Sequence, residues 1–165
     1  MKKIDPIMAG IIILIIMVMG GVLAAALSQR GAPIPQYTTQ ESPAPRLLID
    51  ETVFDFGTMK LEETKVKEIR LTNRGEKPLV INDVITSCDC TFAQFIIGGR
   101  ESPRFSMHRN PQWRGEISPR GEAVVRVTYQ PSIMPVKGRV TREVVFRTND
   151  PLRPLVNLKF TADVE

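Results

Sequence analysis

The chain has 165 residues, 42% hydrophobic and 24% charged, with a formal net charge of +4. Lys2, Lys3, Arg30 and Asp5 together contribute +2 of that, leaving +2 over the rest, with basic and acidic residues interleaved. A near-neutral body without charge blocks excludes a nucleic-acid stripe and fits ordinary solubility.

The first predicted element is the apolar run Ile7–Leu27, 21 residues without a charge, flanked by Lys2, Lys3 and Arg30. A run of roughly 20 such residues makes a helix about as long as a bilayer's hydrocarbon core is thick. Residues 1–28 are therefore expected to form an N-terminal membrane anchor. An uncleaved signal is favoured over cleavage after Ala26, because signal h-regions are usually shorter. No cysteine follows the run, which excludes a lipoprotein anchor. Lys2, Lys3 and the amino terminus place the N-terminus inside and the rest outside, in a periplasm or cell-wall zone. Residues 29–45, "QRGAPIPQYTTQESPAP", carry four prolines and read as an extended tether.

Residues 46–165 are long enough for one domain with its own core. "RLLIDETVFDFGTM" supplies a first strand or split pair, then "IRLTN" and "PLVINDVITS" flank the turn "NRGEKP". "AVVRVTY" puts Ala123, Val125, Val127 and Tyr129 on one face. "GRVTREVVFRTND" groups Val140, Val144 and Phe146. "PLVNLKFTADVE" alternates Val156, Leu158, Phe160, Ala162 and Val164 against polar residues. This period of two, punctuated by turn residues, predicts an all-β, immunoglobulin-like antiparallel sandwich of about seven strands. Asn73, Gly75, Asn149 and Asp150 are read as turn residues, Asn73 and Gly75 at one turn needing positive φ and Asn149 and Asp150, before Pro151, at another. Asp55 and Gly57 suit a strand interrupted by a bulge. A βαβ enzyme is not expected.

Residues 96–116, "IIGGRESPRFSMHRNPQWRGE", break the rhythm with two prolines, three glycines, four arginines, the single His and the single Trp. Such a loop is a functional segment or an insertion with a short strand at "RFSM". Trp113 and Arg100, Arg104, Arg109 and Arg114 are residue types that dominate interface energetics, and they are the interaction candidates.

The cysteines Cys88 and Cys90 share strand parity, so on a regular strand their Cα atoms would sit about 6.6 Å apart. That leaves three readings open: a bent disulfide, buried small side chains, or a thiolate pair for Cu(I) or redox chemistry. Zinc would want two more ligands than these sulfurs supply. Met107 and His108 are suitable auxiliary ligands. No Ser-His-Asp grouping is defensible, and His108 alone makes no enzyme.

The motifs "FDFGTM", "LTNRGEKPLVINDVITSCDCT", "SPRGEAVVRVTYQP" and "FRTNDP", in that order, resemble domain of unknown function 1573, over residues 47–165. The resemblance implies an extracytoplasmic immunoglobulin-like sandwich, similar in style to PapD-like modules. The family's Cys-Gly-Cys-Thr stands here as Cys88-Asp89-Cys90-Thr91. It implies no biochemical activity. The layout of one N-terminal helix before such a domain also resembles the copper-assembly factor of cytochrome c oxidase, matched here only in cysteine spacing. The expected role is a non-catalytic interaction or assembly module contacting another envelope protein, without a cofactor. The alternative is a Cu(I) or thiol-redox assembly factor using Cys88 and Cys90.

Overall fold

The computed structural model describes residues 6–28 and 33–165, with side chains for 7–23 and 33–165. The chain divides into two units between Ile34 and Pro35. Lys2, Lys3 and Arg30, on which the expected orientation rests, and tether residues 29–32 lie outside the described residues.

In the first unit, helix α1 spans Pro6–Ser28, 23 residues with no acidic first turn and no basic last turn. Branched and long apolar side chains from Ile7 to Leu23 point outward all round it. Among the described residues, no helix is long and apolar enough to cross a membrane.

The second unit is two five-stranded sheets. One carries β1 (Leu47–Ile49), β3 (Lys65–Asn73), β8 (Glu122–Tyr129), β5 (Thr91–Ile97) and β6 (Arg100–Glu101), in the spatial order β1-β3-β8-β5-β6. The other carries β2 (Val53–Met59), β10 (Leu155–Val164), β9 (Gly138–Thr148), β4 (Leu79–Thr86) and β7 (Arg114–Ile117), in the order β2-β10-β9-β4-β7. Ten strands replace the expected seven: β5 is not among the segments read as strands, and β6 and β7 are too short to show a period. The sheets are antiparallel except for β2, which pairs parallel to β10, a correction to the expected architecture.

The apolar faces meet where the period of two placed them. Val125, Val127, Phe146, Leu158 and Phe160 are fully buried between the sheets. Each such side chain contributes on the order of 1.5–3 kcal/mol by leaving water. Phe160 gathers Phe54 at 5.4 Å and Phe56 at 5.0 Å between ring centroids. These contacts pin β2 against the core even though it pairs with only one neighbour.

Several turn residues have other jobs than those expected. Gly75 does not adopt positive φ; a Cβ there would lie 2.3 Å from the Ala44 carbonyl oxygen and 2.6 Å from Arg46 N. It is needed for close approach of the chain at Ala44–Arg46, the end of the expected tether, where Ala44 and Pro45 are buried. Asn73 is buried too: its Nδ2 donates to Lys77 O and Ile117 O, and its Oδ1 accepts from Arg46 N and Gly75 N. Asn149 and Asp150 do not adopt the expected positive φ either; they form a buried anchor whose side chains take main-chain N–H groups. Asn149 Oδ1 accepts from Val80 N at 2.8 Å, and Asp150 Oδ2 accepts from Leu47 N at 2.7 Å. Gly57 is at φ +67, beside the register shift of β2, as a bulge requires.

Candidate functional site

Residues Ser87–Cys90 form a turn between β4 and β5, not the regular strand expected for them. The bend draws the Cα atoms of Cys88 and Cys90 to 5.2 Å, and their sulfurs form a disulfide. Both residues are buried in the core cluster. Thr86 Oγ1 lies 2.8 Å from Cys88 O and 3.0 Å from Thr91 O, closing the turn from below. Arg142 Nε, from β9, lies 3.4 Å from Cys90 Sγ. The phenol of Tyr129 is buried near the same guanidinium with no hydrogen-bond partner among the described residues, and desolvation pushes its pKa up.

Asp89, between the sulfurs, turns outward and is a hub. Its Oδ1 accepts from Ser106 Oγ at 2.9 Å and from the His108 main-chain N–H at 3.0 Å, and His108 Nδ1 lies 2.5 Å from its Oδ2. The His108 side chain, then the His108 backbone and Ser106, hold this carboxyl below the usual carboxylate range. His108 is thus docked on the cysteine turn while its ring stays largely exposed. Met107, the other auxiliary-ligand candidate, is exposed. A Cu(I) site would need both sulfurs as thiolates, and here they are bonded to each other. Among the described residues no group of three or more His, Cys, Asp and Glu side chains is arranged to hold a metal.

Residues 98–113 form a hairpin and an arm laid over the sandwich, and "RFSM" does not form a strand. Gly98 and Gly99, at φ +56 and +77, turn β5 into β6. Ser102 Oγ accepts from Phe95 N, and Phe105 makes an isolated bridge to Ala93, its ring fully buried. Arg126 ties the hairpin down, donating to Glu101 and Glu68, and both raise its pKa.

The interaction candidates separate into two groups. Arg104 lies flat on the Phe92 ring, 3.5 Å from its centroid, and donates to Gln130 Oε1. Burial, and then the nearby Arg109, pull its pKa down. Arg109 belongs with Ser106 in the arm's turn, their main chains and the Ser106 hydroxyl joined. Arg100, Trp113 and Arg114 instead line one groove of about 490 Å³, with Ile97, Gly115 and Glu116. The Trp113 ring stacks on Phe95 at 5.4 Å and leans on Phe105 at 5.6 Å, so it is the groove's floor and a plug for the core. Gly115 makes room for it: a Cβ there would meet Trp113 Cη2 at 2.3 Å.

The groove opens beside β7, the last strand of its sheet. The other edges carry blocking devices, as natural sheets require. On β2, Lys65 Nζ donates to Phe56 O at 2.7 Å and Thr58 O at 2.8 Å, beside the bulge at Gly57. On β1, the Leu47 N–H is held by Asp150. On the third, β6 is two residues long and the chain continues across β5 to Phe105. Lys65, Asp150 and Glu116 escaped sequence reasoning because edge order is set by long-range pairing.

Comparison with known proteins matches part of the chain to a family. Residues 47–97 match the family described as "Protein of unknown function (DUF1573)". The match runs from β1 through β5 and includes the cysteine turn, ending short of the expected 47–165. No curated protein matches the chain in sequence. Among solved structures, the chain is similar to a protein of unknown function from Porphyromonas gingivalis W83, at 23% identity and TM-score 0.55. The similarity covers 72% of this chain but 46% of that one, so the chain spans about half the length of that relative. It is also similar to the ASH/PapD-like domain 7 of human CEP192, at 15% identity and TM-score 0.51, covering 83% of this chain and 96% of that domain. These likenesses show the PapD-like, immunoglobulin-like fold.

Proposed function

We propose that the chain is a membrane-anchored, extracytoplasmic and non-catalytic interaction module that recruits another envelope protein by adding a strand to β7. The observation that carries this reading is the groove beside the edge strand β7, with the Trp113 ring stacked on Phe95 at its floor. Lysine, aspartate and chain crossing occupy the edges at β2, β1 and β6. Main-chain pairing along such an edge supplies affinity, and the groove, with charged side chains around the Trp113 ring, supplies selectivity. The anchor is supported by the 23-residue α1 and its outward apolar side chains.

A photo-crosslinking residue at position 116 in cells tests the edge, with position 53 on the blocked β2 as control. A discrete adduct from 116 and none from 53 is expected; equal labelling sinks the reading. Protease added to intact spheroplasts should digest the sandwich, and a protected sandwich removes the extracytoplasmic placement.

A further inference from the structure

Arg142 shares a face of β9 with Val140, Val144 and Phe146, all buried. Its Nε lies 3.4 Å from Cys90 Sγ and its Nη1 donates to Thr141 O, and it belongs to no ion pair among the described residues. A guanidinium drawn partly out of water is costly unless an anion faces it. Burial keeps the nearby Tyr129 phenol neutral, so that group supplies no charge. A disulfide sulfur is neutral as well and accepts only weakly. A thiolate at the same place is the anion this guanidinium lacks, and a cation beside a sulfur favours that form.

The two sulfurs differ. Cys90 is fully buried beside Arg142, whereas Cys88 keeps 4% exposure and its Sγ has only the neutral Thr91 hydroxyl, at 3.3 Å. In thiol–disulfide exchange the attacked sulfur must be reachable, and the other sulfur leaves faster the better its anion is held. Both conditions give one order here: Cys88 is attacked and Cys90 departs. The turn can bear that step. Its cysteines are two residues apart in sequence, and closing so short a loop removes little entropy from the unfolded chain. Its main chain is also held without the sulfurs, by Thr91 N and Thr86 Oγ1 on Cys88 O and by Gln130 N on Cys90 O.

We infer that Cys88–Cys90 is a redox-active disulfide, reduced by a dithiol that attacks Cys88 while Cys90 leaves as a thiolate beside Arg142. The incoming thiolate forms a bond to Cys88 Sγ, and the Cys88–Cys90 bond breaks with its electron pair on Cys90. The second thiol of the dithiol, deprotonated, then attacks its own partner sulfur in the mixed disulfide and releases Cys88, which takes up a proton. Two electrons pass to the pair; the dithiol leaves as a disulfide, with one of its protons on Cys88 and the other in solvent. This activity is independent of the reading of β7 as a docking edge.

The test uses the oxidised full chain solubilised in dodecyl maltoside. It is treated with glutathione at neutral pH, quenched with acid and mapped by tandem mass spectrometry. Glutathione should sit on Cys88 at least about tenfold over Cys90. Reduction by dithiothreitol, followed by acid quench and alkylation, should go to completion without denaturant. Arg142→Gln should slow that reduction about tenfold and spread glutathione over both sulfurs, while Arg142→Lys, which keeps the charge, should stay within about threefold of wild type. A purely structural Arg142 predicts the opposite sign, because a turn loosened by glutamine would be reduced faster. Thermal melts check folding of both variants, and if Arg142→Gln does not fold, the adduct site in wild type still decides. Glutathione mainly on Cys90 or equally on both, reduction of folded Arg142→Gln at or above the wild-type rate, or wild type that takes up no thiol until guanidinium is added, each overturns the inference.

Discussion

Gly115→Ala tests how the floor of the groove is built. The added methyl would lie 2.3 Å from Trp113 Cη2, 2.6 Å from Trp113 Cζ2 and 2.7 Å from Ile97 Cδ1. No real Cβ tolerates such distances, so the indole must slide off Phe95, where it stacks at 5.4 Å. Overpacking of this kind costs about 1–3 kcal/mol. Gly115 lacks positive φ, so alanine also stiffens the unfolded chain, which offsets about 0.4–1 kcal/mol. The net expectation is a loss of about 1–2 kcal/mol, read as a Tm drop of roughly 3–10 °C for a sandwich of this size. Trp113→Phe removes the atoms nearest the methyl, though Ile97 remains. The alanine should therefore cost at least about 1 kcal/mol less in the phenylalanine background, a coupling that a double-mutant cycle in guanidinium measures. Gly115→Ala that melts at or above wild type, or costs that simply add, would falsify the packing argument.

Other perturbations probe the remaining structure. Asp150→Ala strands the N–H groups of Leu47 and Leu152 and should lower stability by about 3 kcal/mol; a midpoint within error of wild type in guanidinium removes its role as the β1 anchor. Tyr129→Phe deletes a buried hydroxyl with no partner, so it should leave stability unchanged or raise it by about 1 kcal/mol, and a clear loss would reveal a bond to that oxygen. Asp89 has a folded pKa below its unfolded one, so its contribution is full above about pH 4 and fades as pH falls through the folded value. The melting difference between wild type and Asp89→Asn should shrink below about pH 4, and a constant difference across pH 2–7 contradicts the His108 clamp. Thiol titration of the denatured, unreduced chain should find no free thiol, and two after reduction; two before reduction would return Cys88 and Cys90 to the Cu(I) reading.

The long strands were legible because each buries one face: Val140, Val144 and Phe146 on β9, and Val156 through Val164 on β10, are buried in phase. The cysteine turn was not, for an instructive reason. Thr86, Cys88 and Cys90 are buried while Ser87 is exposed and Asp89 partly so, so burial alternates through a turn as it would on a strand. Gly75 carried a correct signal with two possible causes, and close approach of Ala44, not positive φ, is the one realised. One clue was present and unused. Arg142 falls in phase with Val140 and Val144 on the core face of β9, and a charge there needs a buried partner. Its partner, the Cys90 sulfur, comes from the turn after β4, and the Tyr129 phenol near it comes from β8 of the other sheet, which no local pattern reveals.

The two features that stood apart in the sequence, the cysteine pair and the Arg/Trp loop, lie on one packed path. The disulfide bends the turn so that Asp89 faces outward, and Asp89 seats Ser106 and His108. Ser106 follows Phe105, whose ring is locked under the arm by its bridge to Ala93 and touches Trp113. Trp113 in turn sits where only a glycine at 115 allows, beneath the edge β7. A side chain without a carboxylate at 89 has no such pair of oxygens for Ser106 and His108, so the arm would lose its outer anchor while Phe105 stayed buried. The cysteine turn therefore acts on β7 through position, by holding the arm that holds the indole. A role for Cys88 and Cys90 in shaping the β7 edge follows from this geometry and requires no chemistry at the sulfurs.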